Sequence, residues 1–290
     1  MSENNKTVKG AVFIIMSAFF FALMGLFVQL SGDLPSFQKS FFRNAVAAIV
    51  SGILLIKEGG GFKWKKGSLI YLILRAGFGT IGVLCNFYAI DHLILSDALM
   101  LNKLSPFFAV ILSIWVLREK TSFFEIAMVC LAFIGSLFII KPTPDLLNPA
   151  SIMGFIGGLG AGAAYTMVRK LTNMGERKTY IVFFFSAFSC ICLLPYLVFN
   201  YAHMTYLQLT YLIMAGVCAA LGQFTITAAY SYAPAREISV YDYTQVIFST
   251  LMSFIIFGTV PDRLSVTGYF IICSATVIMF LRNKHRSKLA

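Results

Sequence analysis

Charge is scarce in this sequence. Asp and Glu number twelve, Lys and Arg twenty-three, and together they are 12% of the 290 residues. Water-soluble domains carry about twice that charged fraction, so a fold with a solvated surface on all sides is excluded. Histidine occurs three times, at His92, His203 and His285. None of the three belongs to an HExxH box, and neither a GxSxG elbow nor an aspartate-rich pair for diphosphate and magnesium is found. A membrane-embedded enzyme therefore lacks its catalytic constellation, and no metal site or cofactor is indicated. The six cysteines, Cys85, Cys130, Cys190, Cys192, Cys218 and Cys273, all fall in apolar segments without a CxxC pair. They read as small buried hydrophobes, which leaves no disulfide framework.

Apolar sequence is what the chain has in quantity, with 59% hydrophobic residues and a mean hydropathy of +0.82. Breaks at polar, Gly and Pro clusters leave ten apolar segments, near 10–30, 37–56, 68–90, 94–116, 122–140, 152–171, 179–199, 206–229, 235–257 and 264–282. Each is long enough to cross about 30 Å of hydrocarbon as a helix. None shows the two-residue alternation of a barrel strand. The first segment follows Lys6 and Lys9 like a signal peptide, but it is too long and has no small-residue cleavage site, so it reads as a retained span. Ser122 followed by Glu125 forms a capping-box signature at the fifth segment. Pro142, Pro144 and Pro149 then divide the chain into two halves of five spans.

The formal charge of +11 sits at helix ends rather than on a nucleic-acid face. With the N-terminus in the cytoplasm, seventeen Lys and Arg fall inside and two, Lys141 and Arg263, fall outside. The positive-inside rule puts both termini in the cytoplasm. The tail from Arg282 to Ala290 reads as an anchor to anionic headgroups, and nucleic acid is not a partner.

The halves match when slid by 139 residues. "RAGFGTIGVLCNFYAI" (Arg75 to Ile90) lies over "MAGVCAALGQFTITAA" (Met214 to Ala229), with Ala76–Gly77 over Ala215–Gly216. An odd number of spans per half makes the second repeat enter from the opposite face. The fold class expected is thus an all-α membrane protein, ten transmembrane helices as two inverted five-helix repeats, at 10–141 and 151–282. Secondary transporters are built this way, with the solute site near the midplane between the repeats.

"LSPFFAVILSIWVLREKTSFFEIAMVCLAFIGSLFIIKP" (Leu104 to Pro142) resembles the end of an EamA domain of the drug/metabolite transporter superfamily. "YTQVIFSTLMSFIIFGTVPDRLSVTGYFIICSATVIM" (Tyr243 to Met279) resembles its counterpart in a second such domain. The resemblance implies a permease in the cell membrane; similar proteins move amino acids, nucleotide-like metabolites, vitamins and drugs. In such proteins a Glu usually follows the Phe-Gly of the second domain, where this chain has Thr259. Glu119 keeps the corresponding acid of the first half, so the pair of glutamates is incomplete here.

Asp242, about seven residues or 10 Å into the ninth span, is the carboxylate set deepest in apolar sequence. Uncompensated, it costs about 3 kcal/mol. Lys103 in the fourth span lies 139 residues earlier, on its symmetry line, so the two are expected to pair beside a polar cavity. Asp242 could carry a coupling proton, be a fixed counter-charge for a cationic substrate group, or simply tie the helices. Pro106 removes a helix hydrogen bond and frees the carbonyl of Asn102. Arg43 and Lys39 near the outer end of the second span, and Arg75 near the inner end of the third, are expected to snorkel to headgroups, with substrate contact as the alternative that keeps Arg43 a candidate. Arg43 also matches a position where similar proteins often keep an arginine. Asn86, Tyr88, Gln223, Thr225 and Thr227 on the third and eighth spans, with Tyr165, Tyr241 and Tyr243, supply material for an apolar slot with a few oriented polar groups. Interhelical hydrogen bonding accounts for them equally well.

The expected partners are a small-molecule substrate, the lipid bilayer and a proton or ion as a candidate for coupling. A channel is the weaker alternative, since isolated charges rather than filter segments occupy the spans. An exporter of amino acids or drugs is the runner-up within the transporter class. The glycine run Gly154 to Ala164 is not a phosphate loop. With no ATP-binding loop in the sequence, transport is expected to run on gradients or exchange.

Overall fold

The structure is a computed structural model that describes residues 3–59, 61–93, 95–140, 149–258 and 260–289. The proline-rich connection at 141–148 and Thr259 lie outside the described residues. Among those described, every regular element is a helix. Lipid offers backbone groups no hydrogen bonds, so each span must satisfy its own.

Among the described residues, ten helical segments are long and apolar enough to cross a membrane: Lys6–Leu30, Ser36–Lys57, Leu69–Ala89, Ala98–Leu117, Phe123–Ile140, Pro149–Asn173, Lys178–Phe199, Tyr206–Tyr232, Ala235–Phe257 and Arg263–Asn283. They are called the first to tenth spans below. Their limits fall within a few residues of those read from the sequence, because apolar length alone sets them. At the fifth span Glu125 reaches back to the Ser122 amide at 2.7 Å, while the Ser122 hydroxyl accepts from Arg282 at 3.2 Å. A full capping box, Thr205 with Gln208, opens the eighth span.

The packing repeats itself. The first span lies on the eighth as the sixth lies on the third, the second on the eighth as the seventh on the third, and the fourth on the sixth as the ninth on the first. The second and seventh spans pair with each other, and so do the fifth and tenth. Every major contact thus has a mate under exchange of the halves, the pattern of a two-fold axis in the membrane plane. Close approach is bought at glycine on the sixth span: a Cβ on Gly158 would stand 2.5 Å from the Leu101 carbonyl oxygen. The start of the first span and the end of the tenth lie on one face, where the Thr7 hydroxyl donates to Glu237 at 2.8 Å and Asn283 donates to the Glu237 carbonyl at 3.4 Å. We call this the terminal face, and its opposite the distal face.

Two spans are broken, and they are symmetry mates. The fourth consists of Leu95–Asn102 and Ser105–Leu117, with Pro106 in the first turn of the second piece. The ninth runs as Ala235–Ile238, a 3-10 turn Ser239–Tyr243, and Thr244–Phe257. Pro106 therefore starts a helix rather than interrupting one, which is where its missing N–H costs least. The second pieces end alike, in left-handed residues Arg118 (φ 54) and Gly258 (φ 67), 140 positions apart.

Candidate functional site

Both breaks meet at one ion pair. Lys103 Nζ lies 3.1 Å from Asp242 Oδ2, donates to Gln245 Oε1 at 2.6 Å and stands 3.4 Å from the Asp242 carbonyl oxygen. The Tyr243 hydroxyl in turn donates to the Lys103 carbonyl at 3.0 Å, so the carbonyl that gains a partner at the break is that of Lys103. Lys103 is 4% exposed and Asp242 6%. A pair so buried is tolerable only when its remaining donors are used, and this ammonium finds three acceptors. The two residues are 139 positions apart, which is the repeat offset. Symmetry mates in contact must straddle the two-fold axis.

Beside the pair is a cavity of about 630 Å³, within the range of small-molecule sites. Its mouth is on the distal face, at Gln29, Gly32 and Asp33, all exposed. It descends between the repeats to Arg75, Tyr165 and Gln223, with Phe21, Phe87 and Phe185 as apolar wall. Asn102 and Gln245 also line it and stand between the void and the ion pair, which is not itself part of the lining.

The cations of the second and third spans correct the expectation from sequence. Arg43 and Arg75 turn inward, at 6% and 2% exposure, and with Lys39 they line the cavity rather than reach headgroups. Packing is the reason. The Arg75 guanidinium lies 4.1 Å from the centroid of the Phe185 ring and donates to Gln223 Oε1 at 2.9 Å. Gly79 makes room for both, since a Cβ there would stand 2.4 Å from Arg75 Nη1 and 2.7 Å from Phe185. The Arg43 guanidinium makes a long contact to Met24 Sδ, 3.7 Å. Nε of both arginines is buried without a hydrogen-bond partner among the described residues.

Of the other residues singled out, Asn86, Asn102, Tyr165 and Gln223 line the cavity. Tyr165 stacks on Tyr230 at 5.4 Å. Tyr241, Tyr243 and Pro106 are buried in the packing around the breaks and do not line it. Tyr88 turns outward and stacks on His92 at 4.0 Å. Thr225 spends its hydroxyl on the Leu221 and Gly222 carbonyls, and Thr227 is fully buried. Gln245 was not anticipated, although its place three residues after Asp242 puts it on the same helical face. Phe185 left no local signal in an apolar run.

On the terminal face the halves are latched. Arg169 of the sixth span meets Glu119 at 3.3 Å and donates to the Tyr230 and Ser231 carbonyls at 3.0 and 3.3 Å. Arg236 donates to the Lys120 carbonyl. Glu119 thus joins the two halves through a cation. By the offset of 140 seen at the left-handed caps, Arg169 corresponds to Gln29 on the distal face, and Glu119 to Thr259 in sequence alone. Gln29 lies at the open mouth.

A sequence profile of the EamA-like transporter family matches residues 8–141 and again 148–281. The chain is similar to the Pseudopaline exporter CntI of Pseudomonas aeruginosa (strain UCBPP-PA14), 27% identical over 93% of this chain and 95% of that protein. It is similar to the Riboflavin transporter of Vibrio cholerae, 27% identical over 96% of this chain and 95% of the relative. Human Solute carrier family 35 member G1 is 26% identical over 96% of this chain and 80% of its own length. A solved crystal structure superposes with a TM-score of 0.84 over 95% of this chain and 98% of that one. Its 13% identity carries likeness of fold alone.

Proposed function

The chain belongs to the EamA-like transporter family, and from that premise we propose that it is a secondary-active permease carrying a small metabolite by alternating access between its inverted repeats. One observation carries the reading: a cavity between the repeats opens at the distal face while Glu119 and Arg169 latch the terminal face. A pathway open at one end and shut at the other is what a carrier presents and a continuous pore does not. The charge distribution supports a cell-membrane protein with both termini cytoplasmic, and in that orientation the cavity faces outward. The family match and the relatives named as transporters support a carrier rather than an enzyme.

The other conformer arises when the two repeats exchange their arrangements. Contacts off the axis, such as the Glu119–Arg169 latch, must then break. A contact between symmetry mates maps onto itself, so the Lys103–Asp242 pair persists in both states. It is the pivot of the motion, and the solute works in the neighbouring cavity. The relatives named for pseudopaline and riboflavin support a small organic solute, and the one named an exporter makes outward movement the direction to test first. Reconstituted into proteoliposomes and screened against pooled metabolites, the protein is expected to show saturable flux accelerated by solute on the opposite side. Unsaturable flux means a pore, and chemical conversion of the solute means an enzyme.

A further inference from the structure

Arg43 and Arg75 are buried cations with no carboxylate beside them among the described residues. Among the described residues, the cavity they line has the cationic side chains of Lys39, Arg43 and Arg75 and the carboxylate of Asp33 at its exposed mouth. Removing a charge from water without a counter-charge costs several kcal/mol. The fold does not require that cost. At the repeat offset of 139, the position of Arg75 is taken by Met214, and the stretch of the seventh span equivalent to the surroundings of Arg43, Val182 to Phe185, is apolar. Two cations are kept in one half, facing a void, where the other half has hydrocarbon.

The geometry points to an organic anion as the solute. This deepens the transport reading of the same cavity and rests on it. Stacking on Phe185 fixes the plane of the Arg75 guanidinium and leaves its edge for in-plane hydrogen bonds, the arrangement that suits a carboxylate or another oxyanion. Gln223 holds one nitrogen of that edge, and Nε is left without a partner. Arg43 presents a second guanidinium to the same space, and Asn86, whose Oδ1 is also unpartnered, adds an amide. The wall of Phe21, Phe87 and Phe185 suits an apolar or aromatic body. The solute is thus an amphipathic molecule with at least one oxyanion group, which neutralises the arginines when the cavity closes over it. Lys103 and Asp242 satisfy each other and leave no charge for a cationic solute.

Three probes built on one ring test this with the full-length protein in detergent: phthalate (two carboxylates), phthalamide (neutral) and xylylenediamine (two ammonium groups). Acetate tests whether a bare oxyanion suffices. Ligand binding to the folded state raises the melting temperature. Phthalate is expected to raise it saturably and acetate at least tenfold more weakly, with no effect from phthalamide or the diamine. In Arg43→Met and in Arg75→Met the phthalate affinity is expected to fall at least tenfold. Arg75→Lys, which keeps the charge and loses the planar fork, falls several-fold and serves if a Met variant does not fold. The proposal is overturned if the diamine or phthalamide stabilises as well as phthalate, if no probe binds, or if phthalate binds all three variants as it binds the parent. Counterflow with the same probes separates this from the transport reading. A protein that exchanges the diamine and ignores phthalate remains a carrier and loses the anion site. One that binds phthalate yet moves no probe across the bilayer keeps the site and loses the transport function.

Discussion

Lys103 and Asp242 meet at 3.1 Å on the axis between the repeats, whereas Arg43 and Arg75, as deeply buried, meet no carboxylate among the described residues. The first pair is screened from the cavity by Asn102 and Gln245; the second pair lines it. Burial alone therefore does not distinguish a scaffold charge from a ligand-facing one. Pairing does, because a fold can close around a neutralised pair but holds an unpaired cation only beside water or solute.

The largest effect expected is on the paired side. Asp242→Asn leaves Lys103 as an uncompensated buried charge, at a cost of about 3–5 kcal/mol, read as a lower melting temperature of the purified protein. Adding Lys103→Met should recover most of that loss. A single Asp242 variant as stable as the parent would remove the pivot from the account.

Next in size is the floor of the cavity. Gly79→Ala drives a methyl group into the space of the Arg75 guanidinium and the Phe185 ring, costing about 1–3 kcal/mol in a packed interior. Phthalate affinity should fall with it. An alanine variant with the parent's melting temperature and affinity would mean that Arg75 can point elsewhere at no cost.

The latch comes third. Glu119 and Arg169 are partly exposed, so Glu119→Gln should weaken closure of the terminal face by about 1 kcal/mol, or roughly fivefold in population. Ser249 lines the cavity, and Ser249→Cys in inverted vesicles should then react with an impermeant maleimide about that much faster. An unchanged rate would place the barrier elsewhere. The smallest effect is Arg75→Met on stability. Relief of an unpaired charge and the orphaning of Gln223 oppose each other, and the melting temperature should change by the equivalent of about 1 kcal/mol or less. A large loss would make Arg75 a scaffold residue and merge the two classes.

Much of this architecture was legible in the residues. The ten spans followed from apolar length, and the inverted repeat from the match of Arg75–Ile90 with Met214–Ala229. The meeting of Lys103 with Asp242 was legible because both lie at one repeat offset, which turns a sequence coincidence into a statement about an axis. The inward turn of Arg43 and Arg75 was not legible, because a long cation near a helix end can reach headgroups or turn inward, and spacing does not say which. Tyr88, Tyr241 and Tyr243 offered polar tips that the packing turned to lipid or to the breaks. Thr259, where a second glutamate is missing, lies outside the described residues.

What the sequence determined by itself is the number of crossings, their helical nature and the exchange symmetry of the halves. These are properties of a one-dimensional pattern, since hydrocarbon thickness fixes length and lipid forbids an unpaired backbone. The tertiary structure alone decided which buried charges find partners and which face an open space. That depends on the rotation of each helix about its axis, set by neighbours such as Gly79, Phe185 and Gly158 that lie far away along the chain.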